Sequence, residues 1–120
     1  MLSLPPAVRI FVARGATDMR KSFDTLAALV REVLREDPLS GHVFVFLNRR
    51  RDRVKLLYWD RVGFVLISKR LEQGTFRAPE RSEVGARELA LLLEGLDETT
   101  LRTRRWYDQP KAVETTRAIR

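Results

Sequence analysis

The chain has no cysteine and only one histidine, His42, among its 120 residues. Disulfides, thiolate metal sites and a cysteine nucleophile are therefore excluded, and a His-rich metal centre cannot be assembled. No apolar run approaches the roughly 20 residues that a membrane helix needs. The start, Met1-Leu2-Ser3-Leu4-Pro5-Pro6, has no basic segment leading into a long apolar stretch, so no secretory signal is read. Soluble, cytoplasmic residence without membrane association is expected. Phosphate-loop, H-E-x-x-H and G-x-S-x-G motifs are absent. Neither a catalytic residue, a metal ligand nor a cofactor site is predicted.

What is present is an ordinary globular mix, 44% apolar and 32% charged, at a length that suits one domain. The balance is strongly basic: 23 Lys+Arg against 16 Asp+Glu, a net charge of +7 and a pI near 10.7. Such a surface attracts polyanions, nucleic acid foremost.

The stretch His42–Gly74 organises the rest. Val43-Phe44-Val45-Phe46-Leu47 is apolar on both parities, as a strand covered on both faces would be. Val54–Trp59 and Gly63–Leu71 follow across short polar breaks. Breaks that short predict antiparallel hairpins, because a parallel crossover needs a dozen residues or more. Upstream, Val8–Val12 reads as a first strand. Met19, Phe23, Leu26, Val30 and Val33 recur at helical spacing, with Leu29 and Leu34 widening the stripe, and Thr17 or Asp18 is the expected cap. Thr75 to Gly85 reads as a connector anchored by Phe76, and Ala86–Glu94 as a short helix that must dock. The fold class expected is α+β: a mostly antiparallel sheet of about four strands in the order strand, helix, three-stranded meander, helix. The Met19–Arg35 helix should cross one face, and the second helix should close an edge or the other face. Residues 1–98 form the predicted domain, and 99–120 a mobile basic tail with Arg102, Arg104, Arg105, Trp106 and Tyr107.

Four places are candidate contacts to nucleic acid. The first is the break after the central strand, where Arg49, Arg50, Arg51, Arg53 and Lys55 fall within seven positions with Asp52 as the one acid among them. A guanidinium cluster on a hairpin tip matches successive phosphates; the plain alternative is a solvated turn. Trp59, beside Asp60-Arg61, is a candidate for base stacking, or else a core residue, since Tyr58 and Trp59 point to opposite faces. Lys69 and Arg70, with Arg20-Lys21, extend a basic surface if they face the same way. The basic tail is the fourth. For catalysis, Asp18, Asp24, Asp52, Asp60 and Asp97 would have to converge on metal ions. Asp18 and Asp24, six apart, do not share a helical face, and a small nuclease is the least favoured reading.

The order of several blocks carries a resemblance. Gly15-Ala16-Thr17-Asp18-Met19-Arg20-Lys21-Ser22-Phe23-Asp24-Thr25-Leu26 opens it, and Asp37-Pro38-Leu39-Ser40-Gly41-His42-Val43-Phe44-Val45-Phe46 continues it. Lys55-Leu56-Leu57-Tyr58-Trp59-Asp60 with Gly63, then Lys69–Phe76, form a third block, and Leu91–Asp97 closes it. Over about residues 5 to 98 the chain resembles the TnpB-type transposase accessory proteins of the insertion-sequence-sixty-six family of bacterial mobile elements, which are unrelated to the RNA-guided nuclease of the same name. Tyr58 and the arginine-dense 49–53 loop depart from the usual pattern. The resemblance implies a non-enzymatic accessory role in transposition beside a separate, larger transposase, and brings no catalytic residue. DNA and the transposase are the implied partners. Two readings stand: DNA binding through the basic hairpin surface, or a protein adaptor that docks on the transposase without touching DNA.

Overall fold

The computed structural model describes residues 7–95. Its strands are β1 (Ile10–Val12), β2 (Val43–Leu47), β3 (Arg53–Trp59), β4 (Phe64–Arg70) and β5 (Glu83–Val84); its helices are α1 (Phe23–Leu29) and α2 (Ala86–Leu93). They form one five-stranded sheet in the order β4-β3-β2-β1-β5. The meander stands as expected: β2–β3 and β3–β4 are antiparallel, with Phe44 opposite Leu57 and Leu57 opposite Leu66.

The sheet is mostly antiparallel, as expected, but differs from the four-strand expectation in detail. β1 runs parallel to β2, pairing Ile10 with Val43 and Val12 with Val45. The long connection through α1 makes this a strand–helix–strand crossover, the link that parallel neighbours require. The connector also contains a strand: Glu83 and Val84 pair antiparallel with Phe11 and Ile10 and close the β1 edge.

Alternation along the strands divides the core into two layers. Ile10, Val12, Val43, Val45, Val54 and Leu56 point to the face that receives Leu89, Leu92 and Leu93 of α2, and Phe76 is fully buried among them as the expected anchor. Phe11, Phe44, Phe46 and Leu57 point the other way, against Leu26, Ala27 and Val30. Each helix thus takes one face, and all five residues of β2 are buried. This is why β2 is apolar on both parities.

The first helix starts later than its apolar stripe suggests. Thr17 is buried and its N–H donates to the Leu47 carbonyl, while the Asp18 carboxylate is held by Arg20, so neither is the cap. Ser22 is the N-cap, with its N–H donating to Thr25 Oγ1 at 2.9 Å. After Leu29 the helix widens into a π-helical turn, Val30–Leu34, that ends at Arg35 in the left-handed region (φ 58°). The widened turn breaks the 3.6-residue period; Val33, one of the stripe, is left 62% exposed. No helix among the described residues is long and apolar enough to cross a membrane. The leader and the basic tail lie outside the described residues.

Candidate nucleic-acid interface

Topology gathers basic residues at one end of the sheet. β1, β2 and β4 finish there and β3 begins there. The β2–β3 turn carries Arg49, Arg50 and Arg51, the start of β3 carries Arg53, and the end of β4 carries Arg70. Arg14 and the Arg20-Lys21 pair follow β1 at the same end.

The turn is a built loop. Asn48 Oδ1 accepts the N–H groups of Asp52 (3.1 Å) and Arg53 (3.0 Å), and its Nδ2 donates to Asp52 Oδ1 at 2.7 Å. The backbone is also tied to the end of β4 and to the connector: Leu71 N–H donates to the Asp52 carbonyl at 2.8 Å and Phe76 N–H to that of Arg51 at 2.6 Å. Arg51 sits at φ 60°, a conformation that costs a side chain about 1–2 kcal/mol relative to glycine. Arg35 and Arg61 share that region, so the feature is not peculiar to the turn.

From this frame Arg49, Arg50 and Arg51 project into solvent, and among the described residues none of the three forms an ion pair. They stand between two open clefts. Arg49 and Arg51 line one of about 550 Å³, together with Arg14, Gly15 and Glu80. Arg50 and Arg51 line another of about 450 Å³ beside Gly74, Arg77 and Gly95. Arg53 lies directly opposite Arg70 across the β3–β4 ladder, a like-charge pairing that is unfavourable in isolation.

The other predicted residues are placed differently. Lys55 is half-buried, its ammonium donating to the carbonyls of Met19 (2.8 Å) and Lys21 (2.7 Å). Lys69 donates to the Leu93 carbonyl at 2.5 Å, at the C-terminal end of α2, where the helix dipole favours a cation. Arg70 pairs with Glu72 at 3.2 Å and Arg20 with Asp18 at 2.7 Å. Trp59 is at the far end of β3, about 20 Å from Arg53 by strand rise. It is half-buried, edge-to-face with Phe64 at 5.1 Å. Arg14, which the sequence reading left out, donates to the Glu80 carbonyl at 2.9 Å. Only its position just past the end of β1, on the same side as the β2–β3 turn, could have flagged it.

The carboxylates are held locally. Asp60, at the opposite end, accepts the N–H groups of Gly63 and Val62, which lower its pKa. Asp52 is lowered by the Asn48 hydrogen bond and by the nearby charges of Arg50 and Arg53. The Arg20 hydrogen bonds lower Asp18, and the Arg9 hydrogen bond lowers Glu83. Among the described residues no three His, Asp or Glu side chains are grouped as a metal site.

Two measurements follow from this geometry. Asn48→Ala removes three hydrogen bonds that shape the turn and is expected to cost about 1–2 kcal/mol. That is a fall of roughly 4–16 °C in melting temperature for a domain of this size, readable by circular dichroism. The second is a pH series. All four lowered carboxylates have folded pKa values below their unfolded ones, so their stabilisation is complete above the ordinary carboxylate range and is lost as pH falls through the folded values. The melting temperature is therefore expected to be flat above about pH 5 and to drop below about pH 4. Stability that rises on acidification would contradict this assignment.

Comparison with known proteins places the chain. The family model described as IS66 Orf2-like protein matches residues 8–103, six residues beyond the Asp97 at which the sequence resemblance closes. The uncharacterized protein y4hO of Sinorhizobium fredii is 41% identical over 102 residues, covering 81% of this chain and 88% of its own. The uncharacterized protein y4jC of the same organism is 37% identical over 106 residues, covering 85% of this chain and 91% of its own. No solved structure gives a significant match. The chain belongs to the IS66 Orf2-like family, and through it to the transposition machinery of insertion sequences.

Proposed function

We propose that this protein is a non-enzymatic accessory factor of insertion-sequence transposition that holds DNA by its phosphates at the arginine-bearing end of the sheet. One observation carries the reading. Among the described residues Arg49, Arg50 and Arg51 form no ion pair, and they stand on a turn whose backbone is fixed by Asn48 and Phe76, with Arg53 beside them at the start of β3. A rigid loop that presents several guanidinium forks loses little freedom on meeting a phosphate backbone. Arg53 lies opposite Arg70, which already pairs with Glu72, so Arg53 is the cation of that pair left to meet a phosphate. In this reading Lys55 and Lys69 shape the surface by binding carbonyls of their own chain, Arg70 lies at its rim, and Trp59 is outside it. A gel-shift series with element-end DNA across salt concentrations tests the proposal. Binding that weakens as salt rises is expected, and absence of binding at low salt would refute it.

A second reading, an adaptor that docks on the transposase without DNA, has its own observation. Phe23 is 43% exposed and Val33 62% exposed along the first helix, and a large apolar side chain in water is a contact waiting for a partner when others lie near it. Co-purification with the transposase after nuclease treatment would favour it, and failure to associate would count against it.

A further inference from the structure

The two edges of the sheet are unequal. The β5 edge is only two residues long. The β4 edge is seven residues long, and its first four, Phe64-Val65-Leu66-Ile67, are apolar and only partly buried. Long apolar edges are open templates for another strand unless something guards them. Lys69 and Arg70 would be the guards, but Lys69 is drawn onto the Leu93 carbonyl and Arg70 onto Glu72.

The ladder shows which backbone groups are free. Asp60 N–H donates to the Gly63 carbonyl, and Leu71 N–H to that of Asp52. With the β3–β4 register, these two bonds place the backbone groups of Val65, Ile67 and Lys69 toward β3. Those of Phe64, Leu66, Ser68 and Arg70 therefore point outward, where the sheet has no further strand among the described residues.

We propose that β4 pairs antiparallel with β4 of a second copy of this chain, about a two-fold axis at Ile67. This register matches all four outward residues: Phe64 with Arg70 and Leu66 with Ser68, each twice. It also sorts the charges. Lys69 falls opposite Val65 and Arg70 opposite Phe64, whereas a parallel arrangement would set each cation against its own copy. Glu72 comes opposite Val62, next to the exposed Arg61 of the other copy. Each apolar half lies against the polar half of the other copy, and Ile67 meets its own copy at the axis. The inference does not depend on DNA binding, because β4's free edge is separate from the arginine turn.

Sedimentation equilibrium of the full chain tests it, and a concentration-dependent monomer–dimer equilibrium in the micromolar range is expected. Each copy carries +7, so added salt should strengthen self-association by screening repulsion, opposite to its effect on DNA binding. Ser68→Pro removes only an outward N–H from an exposed edge position and should yield monomer, while Ser68→Ala stays dimeric. The chain has no cysteine, so single replacements act as rulers. At the axis, Ile67 and its copy form a non-hydrogen-bonded pair with Cα atoms about 4.5 Å apart, within disulfide reach. Two copies of Val65 are about 13 Å apart by strand rise. Mild oxidation should cross-link Ile67→Cys readily and Val65→Cys poorly. Should Ser68→Pro fail to fold, the cysteine pair still decides. A wild-type monomer at every attainable concentration, or equal cross-linking of both cysteine variants, overturns the proposal.

Discussion

Replacing Arg49, Arg50 and Arg51 together by alanine is expected to weaken binding to element-end DNA by about 10- to 100-fold near physiological salt. The slope of log affinity against log salt should flatten by about 1 for each lost phosphate contact, or about 3 in all. The reason is geometric. The three guanidiniums are exposed and, among the described residues, without ion pairs, on a turn fixed by Asn48 and by the Phe76 N–H. Their removal takes away counter-ion release and little else. Truncating exposed side chains leaves the two core layers untouched, so thermal stability should change by about 0.5 kcal/mol or less. Arg9→Ala/Arg61→Ala is the control, because both side chains lie at the opposite end of the sheet. Equal loss of binding in the control would mean that net charge alone attracts DNA. Unchanged binding in the triple variant would move the interface away from the turn.

The charge cluster was legible because it is contiguous: seven successive positions, on the turn and the start of β3, need no tertiary knowledge. Its neighbours were not. Lys55 reads in sequence as one more cation of the cluster, yet its hydrogen-bond partners are 34 and 36 residues away. Lys69 likewise meets a carbonyl 24 residues on. Long-range acceptors leave no local signature. The fold divides in the same way. β2 was readable from its all-apolar run, β3 and β4 from looser alternation and short breaks, and the first helix from its apolar stripe. β5 has two residues and no alternation, and it is a strand only because β1 offers it a ladder. The N-cap was misplaced for a related reason. Thr17 and Asp18 are good capping residues by type, but one is tied to Leu47 and the other to Arg20. Ser22, with Thr25 three residues on, carried the capping pattern without being chosen.

Lys55→Met is expected to separate shape from charge. The substitution keeps the unbranched stem and removes the ammonium, leaving the Met19 and Lys21 carbonyls without their donor. Hydrogen bonds to a charged group contribute about 1.5–3 kcal/mol each. Because Lys55 is half-exposed and water can replace part of the loss, about 2 kcal/mol for the pair is the reasonable expectation, a fall of roughly 8–16 °C in melting temperature. The segment freed is the one that leads from β1 into helix α1 and flanks the arginine end. At a temperature where both proteins are folded, DNA affinity should fall by less than about 3-fold and the salt slope should change by less than about 1, since the ammonium is turned toward its own backbone. Lys55→Arg would not rescue stability, because a planar guanidinium does not fit a site shaped for a compact ammonium with two carbonyls. If Lys55→Met instead melts like the wild type and loses a full unit of salt slope, Lys55 is a phosphate contact, and the carbonyl bonds give way when DNA arrives.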